Sequence, residues 1–283
     1  MKELTKTQKI ERSLITTYKK SIWTKFVHAI KEFSLIEDGD KIAVCISGGK
    51  DSFLMAKLFQ ELKRHGKNNF DLEFLIINPG YNEMNKKIIL DNAEILGVPV
   101  KMVDANIFDY VASVKEGSPC YLCARMRRGT LYATAKELGC NKIALGHHFD
   151  DVIETTLMSM LYNGTFKTMM PKLHSQNFEG LQLIRPMYRI REKDIINWKN
   201  ASEIHFINCA CRFTETCTID DGTGGSKRKE MKRLVAYLES MNDCFAENIF
   251  TSLKNVNLNT VLGYTKNNEK FSFLYDYENI VED

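Results

Sequence analysis

The chain has 283 residues, 44% of them hydrophobic and 27% charged, with a formal net charge of only +3, so it reads as a globular protein whose polyanion contacts must come from local basic faces. No stretch reaches the roughly 20 apolar residues of a membrane span, and Met1 to Lys6 lacks the apolar core of a signal peptide, which leads us to expect a cytoplasmic protein with no membrane partner. The 8 cysteines are then expected to be reduced, metal-bound or catalytic, not paired as disulfides.

From Gln8 to Phe33 apolar residues recur at three- and four-residue steps, which predicts one long amphipathic helix. Its other faces carry Lys9, Arg12, Lys19, Lys20, Lys25 and Lys31, either a solvated surface or a phosphate-facing one. Lys41 to Ile46 reads as a strand, followed by a Gly-rich loop and a helix through Leu54, Leu58 and Leu62. Further strands are expected at Leu72 to Ile77, Val98 to Val103 and Lys142 to Leu145, with helices near Asn85 to Leu96 and Asp150 to Leu161. This alternation predicts an α/β fold: a parallel sheet with helices on both faces and ligands at the carboxyl ends of its strands. After about Pro171 the rhythm fades into a short run at Leu181 to Ile184, a helix near Glu192 to Lys199, a cysteine-rich turn and a helix from Lys227 to Asn242. The organisation expected is an N-terminal basic helix (1–36), a nucleotide-binding domain (37–185) and a small C-terminal cysteine-containing helical region (186–283).

Ser47-Gly48-Gly49-Lys50-Asp51-Ser52 sits between strand and helix, where glycines let the backbone wrap an anion and a helix N-terminus offers N–H groups. Lys50 adds a point charge, and Asp51 is suited to hold Mg²⁺ against a pyrophosphate. The spacing is not that of a Walker A loop. The six residues resemble the signature of the PP-loop ATP pyrophosphatases, which implies ATP cleavage to AMP and pyrophosphate.

Cys120-Tyr121-Leu122-Cys123 leads into a basic helix, and two thiolates three apart can grip one metal or cluster. By itself the pair suits half a zinc site, a redox dithiol or a catalytic pair. Cys209, Cys211 and Cys217 lie on a later segment able to supply the remaining ligands; four would close a zinc site, and three would leave an iron–sulfur cluster with one open iron. Cys45, Cys140 and Cys244 read as small core hydrophobes.

Gly39-Asp40, the loop 47–52, Cys120-x-x-Cys123, Gly146-His147-His148-Phe149-Asp150-Asp151, Tyr162-Asn163-Gly164, Met170 to Leu173, Arg185-Pro186, Arg191 to Ile195 and a late cysteine together resemble the tRNA 2-thiocytidine synthetase family over roughly residues 8 to 262. The resemblance implies a PP-loop (adenine nucleotide alpha-hydrolase-like) fold, adenylation of the C2 oxygen of a tRNA cytidine, and sulfur delivery through a [4Fe–4S] cluster. It makes Cys120, Cys123 and Cys209 the cluster ligands, with Cys211 a rival because this chain has Cys-x-Cys where the family usually has Cys-x-x-Cys. Cys120, Cys123 and Cys209 thereby join Lys50 and Asp51 as expected catalytic residues. The nucleotide is expected at Ser47, Gly48, Gly49, Lys50, Asp51, Ser52, Asn78, Gly146, His147, His148 and Asp151. His147 and His148 either orient nucleotide or substrate or serve the fold, and Asp150 and Asp151 are also placed to cap a helix. A second departure is Asn78-Pro79-Gly80, where the family usually has Asn-Leu-Asp.

RNA contacts are expected at Arg125, Arg127, Arg128, Arg185, Arg189, Arg191, Lys227, Arg228 and Lys229. A sulfur donor such as a cysteine desulfurase and a homodimer complete the expected partners. The competing readings are a PP-loop amine ligase with structural zinc, a redox-sensing module that only binds ATP, and a cluster enzyme acting on another nucleobase or a small metabolite.

Overall fold

A computed structural model describes residues 4–66, 68–114, 119–207, 227–275 and 277–279. The expected single N-terminal helix is broken. Helix α1 (Lys6–Ile15) ends where two β-branched residues, Thr16 and Thr17, follow each other, and Thr16 Oγ1 donates to the Arg12 carbonyl at 2.7 Å. Such back-bonding bends a helix. A π-helical turn (Lys19–Trp23) then resets the phase before α2 (Thr24–Glu32), so Ile22 and Phe26 both point into the core.

The central sheet has the order β3-β2-β1-β4-β6-β5. Strands β1 (Lys41–Cys45), β2 (Asp71–Asn78), β3 (Val100–Asp104), β4 (Lys142–Ala144) and β6 (Gln182–Ile184) run parallel, and β5 (Lys172–His174) is antiparallel to β6. Their Ile-, Val- and Leu-rich runs suit strands covered on both faces. Helices α3 (Lys50–His65), α4 (Glu83–Ile95), α5 (Ile107–Ser113), α6 (Pro119–Glu137) and α7 (Phe149–Asn163) alternate with them. The chain builds outward from β1 to β3 and then returns to lay β4 on the other side of β1. The topological switch point, where open α/β sheets bind ligands, therefore lies between the carboxyl ends of β1 and β4. At the opposite ends of these strands Asp40 and Lys142 form a buried ion pair at 2.7 Å.

The sheet does not stop where the β/α rhythm fades. Leu183 and Ile184 are buried beside Ile143 and Ala144 of β4, which draws β6 into the main sheet. Beyond it α8 (Glu192–Ser202) packs on α3, and Trp198 and Phe53 both contact Phe206, with ring centroids 5.9 Å and 5.7 Å away. The main core thus crosses the expected boundary at 185 and continues to Ile207. A separate apolar cluster joins α7 to α9 (Lys227–Met241) and α10 (Phe245–Ser252) through Phe149, Val152, Met231, Val235 and Phe250. The exposed hairpin β7–β8 (Gly263–Lys266, Glu269–Ser272) has no counterpart in the sequence reading.

Candidate active site

The loop after β1 is shaped for an anion. Gly48 has φ +91°, and a Cβ there would lie 2.6 Å from Ile207 Cδ1 and 2.8 Å from Ile89 Cγ1, so only glycine fits. Ser52 Oγ accepts from Ser47 N at 3.1 Å and donates to the Gly49 carbonyl at 2.9 Å, tying the two ends of the loop. Gly49 is the N-cap of α3 and offers no capping side chain, which leaves the first-turn N–H groups for an incoming anion. Lys50 Nζ lies 3.1 Å from Asp51 Oδ2 and 3.4 Å from Glu192 Oε1. The other oxygen of Asp51, Oδ1, is buried without a hydrogen-bond partner among the described residues.

The loop after β4 closes onto this one. A Cβ at Gly146 would sit 3.4 Å from the Asp51 carbonyl and from Ser52 N, an approach a larger residue would crowd. His148 and Asp151 form a reciprocal cap at the start of α7: His148 N donates to Asp151 Oδ2 at 2.9 Å and Asp151 N to His148 Nδ1 at 3.4 Å. Asp151 Oδ1 also accepts from Arg228 at 2.6 Å, and Asp150 accepts from Glu192 N at 2.6 Å and from Arg191 Nε at 3.1 Å. His147 differs from its neighbour. Its Nδ1 accepts from Arg185 Nε at 3.4 Å, and burial, reinforced by the Arg185 charge, pushes its pKa down to about 4. Burial likewise lowers that of Arg185 to about 10.

Asn78 ends β2 and holds a turn. Its Oδ1 accepts from Gly80 N at 3.1 Å and Tyr81 N at 2.7 Å, while its Nδ2 donates to Asp104 at 2.7 Å. With φ +109° at Gly80, the Asn-Pro-Gly segment is a tight turn whose side-chain amide is engaged within the fold.

Cys120 and Cys123 lie one turn apart near the start of α6, with Cys123 buried. Cys209, Cys211 and Cys217 fall outside the described residues. Among the described residues no group of three His, Cys, Asp or Glu side chains is arranged to hold a metal ion. Burial raises both the Cys45 and Cys140 thiols to about 11, in keeping with small core residues. Cys244 departs from expectation: it is exposed at the start of α10, because the apolar face of that short helix falls on Ala246 and Phe250.

The basic residues divide by environment. Arg125 and Arg128 are exposed on α6, and Arg127 donates to Tyr81 Oη at 3.2 Å. Arg185 is buried and donates to the Met170 carbonyl. Arg189 is bidentate to Glu32, Arg191 bridges Asp150 and Glu239, and Arg228 bridges Asp151 and Glu154. Lys227 lies 4.6 Å from the centroid of the Tyr162 ring, and Lys229 is exposed on α9.

The PP-loop domain model matches residues 19–211. A tRNA-cytidine(32) 2-sulfurtransferase of Aliivibrio fischeri (strain MJ11) is 37% identical over 258 residues, covering 90% of this chain and 80% of that protein. The chain belongs to this family of PP-loop sulfurtransferases. The corresponding protein of Neisseria meningitidis serogroup C (strain 053442) is 39% identical over 233 residues, covering 81% of this chain and 69% of its own length. In fold the chain resembles the U34-tRNA thiolase NcsA from Methanococcus maripaludis, solved with its [4Fe-4S] cluster, with a TM-score of 0.62 and 22% identity over 83% of this chain and 79% of that one.

One participant had no role assigned from the sequence. Glu192 joins Lys50 to Lys232, and although burial opposes its charge, the hydrogen bond from Lys232 and the Lys50 charge hold its carboxyl below the usual range. Its signal was present in the Arg191-Glu192-Lys193-Asp194 motif, but only the fold reveals that α8 starts beside the phosphate loop.

Proposed function

We propose that this chain thiolates a tRNA cytidine at C2, using ATP bound at the loop 47–52. The observation that carries the reading is the seat of Ile207 on the loop: its Cδ1 would meet a Cβ at Gly48, and its carbonyl lies 3.7 Å from the Cβ position of Gly49. Ile207, two residues before Cys209, therefore sits against the loop where ATP would be opened.

Attack of the base C2 oxygen on the α-phosphorus of ATP releases pyrophosphate and turns a poor leaving group into AMP. Lys50 and the α3 N–H groups stabilise the charge that builds on the pyrophosphate, each well-placed donor contributing about 3–4 kcal/mol. Asp51, with a buried oxygen that lacks a partner among the described residues, would hold a Mg²⁺ ion, which would offset charge on the pyrophosphate. Cys120 and Cys123, three residues apart on one helical turn, suit two positions of a cluster, with Cys209 as the third ligand. When bound there, a [4Fe–4S] cluster supplies the sulfur that replaces the activated oxygen. Glu192 positions Lys50, and His148 and Asp151 fix the start of α7 beside the reacting groups. A cytoplasmic location, a cysteine desulfurase as sulfur donor and a homodimer belong to the same reading.

Anaerobic purification with iron, sulfide and zinc counts, followed by a tRNA-dependent assay of AMP and 2-thiocytidine, tests it. Zinc without iron, or AMP formation without thiolated RNA, would replace it with an amine-ligase reading.

A further inference from the structure

We propose that a cavity of about 620 Å³ between α6 and the β4–β6–β5 side of the sheet seats a single unstacked pyrimidine nucleotide of the RNA substrate. The proposal rests on the tRNA reading above and adds where the target base goes and what holds it. Its volume falls within the roughly 300–1,000 Å³ of small-ligand sites.

Gly129 is the first reason. It lines the cavity from the interior of α6, where glycine costs about 1 kcal/mol relative to alanine. A Cβ there would meet nothing within 4 Å, so no protein neighbour requires the missing side chain. The space above Gly129 is kept open for something other than the protein.

The walls suit a nucleotide. Tyr132 and Phe178, with centroids 5.5 Å apart and planes tilted by 45°, give aromatic surface for a base, and exposed Arg128 stands at the rim for a phosphate. Among the polar lining residues, which also include Ser175, Gln176 and Asn177, Arg185 and His147 adjoin on one wall. Because His147 Nδ1 accepts from Arg185, its neutral ring presents Nε2–H, and both side chains offer donors. Cytosine carries two adjacent acceptors, O2 and N3, whereas uracil interposes an N3–H donor, so this wall favours cytosine. His147 also lines a smaller cavity of about 300 Å³ at the carboxyl ends of β1 and β2. It directly follows Gly146, where an added Cβ would lie 3.4 Å from the Asp51 carbonyl, so the histidine shared by both cavities is next in sequence to the approach of the two loops.

The test plugs the cavity from Gly129. Gly129→Ala, which removes the helix cost of glycine, should fold at least as stably as wild type. Gly129→Leu, with Gly129→Gln run beside it as a second helix-compatible plug, should keep helix content and affinity for a fluorescent ATP analogue. Both plugs should abolish thiolation and the fluorescence rise of an anticodon stem-loop RNA carrying pyrrolocytosine at the target position, a signal that reports unstacking. A folded plug that unstacks the label as wild type does would overturn the proposal, as would one that loses ATP affinity, which would give the cavity to the nucleotide cofactor. Wild-type protein that thiolates no tRNA would instead remove the underlying reading.

Discussion

Arg185 Nε donates to His147 Nδ1 at 3.4 Å, so the histidine beside the phosphate loop is held neutral, with its remaining proton on Nε2. Its pKa of about 4 lies below the ordinary 6.5. As pH falls through that interval the unfolded chain takes up a proton that the folded chain refuses. Stability contributed by the neutral ring is therefore complete above about 6.5, declines toward 4 and levels off below, with a total on the order of 3 kcal/mol. Urea unfolding of wild type and His147→Gln at about pH 7 and about pH 5 measures it: the variant should lose less stability on acidification. Equal losses would mean that His147 titrates normally.

Lys50 is held by Asp51 and Glu192 and is the cation nearest the start of α3. Lys50→Ala should lower tRNA-dependent AMP formation by about 100-fold or more while the visible absorption of the protein is unchanged. Glu192→Gln should keep Lys50 in place but loosened, and show a smaller loss. Normal AMP production by Lys50→Ala would remove the loop from the chemistry.

The two environments of the arginines predict two phenotypes. Arg125→Ala and Arg128→Ala, on exposed side chains, should each reduce the slope of log affinity for tRNA against log salt by about 1. Arg191→Ala should instead leave that slope alone and destabilise the fold, since it removes the cation shared by the Asp150 and Glu239 carboxylates. A salt-insensitive tRNA affinity in wild type would point to a small-molecule substrate.

The strands β1 to β4 were legible because each is a short apolar run next to a turn signal, and the phosphate loop because its chemistry is local. What failed was set by contacts between distant segments. Thr16 and Thr17 interrupt a pattern whose apolar spacing continues across them, so periodicity alone could not place the break. β6 is three residues long and becomes a strand by pairing with β4 on one side and β5 on the other. The pairing of Arg189 with Glu32 and of Arg191 with Glu239 joins residues 157 and 48 positions apart, invisible to a reading that sees only basic clusters.

Lys57 is fully buried in α3, with Nζ reaching Glu11 at 2.6 Å, Gln60 at 2.7 Å and the Leu96 carbonyl at 2.7 Å. Burial lowers its pKa despite Glu11. The residue fastens α1 to α3 and to the end of α4. Lys57→Met should cost roughly 3 kcal/mol, the lower end for breaking a buried pair, because Glu11 retains Arg64 at 2.8 Å. Chemical denaturation reads this directly, and an unchanged midpoint would mean that the apolar stem carries the contact.

The cysteines divide by chemistry into those able to hold a cluster and those unable to. Burial raises the Cys45 and Cys140 thiols to about 11, and both pack with the main core as small apolar residues do. Cys244 is exposed at the start of α10. Cys120 and Cys123 share one turn of α6, and two thiolates cannot complete a [4Fe–4S] cluster. Under the cluster reading proposed above, the remaining ligand would come from Cys209, Cys211 or Cys217. Agreement with the family pattern favours Cys209, and a one-residue spacer makes it hard for Cys209 and Cys211 to reach different irons of one cube without strain. Cys120→Ser, Cys123→Ser and Cys209→Ser should therefore lose iron on anaerobic purification, whereas Cys45→Ser, Cys140→Ser, Cys211→Ser, Cys217→Ser and Cys244→Ser should keep a full count. Bleaching by Cys211→Ser but not Cys209→Ser would move the third ligand by two residues. Bleaching by both would fill the fourth iron with protein and leave no open position from which sulfur could be delivered.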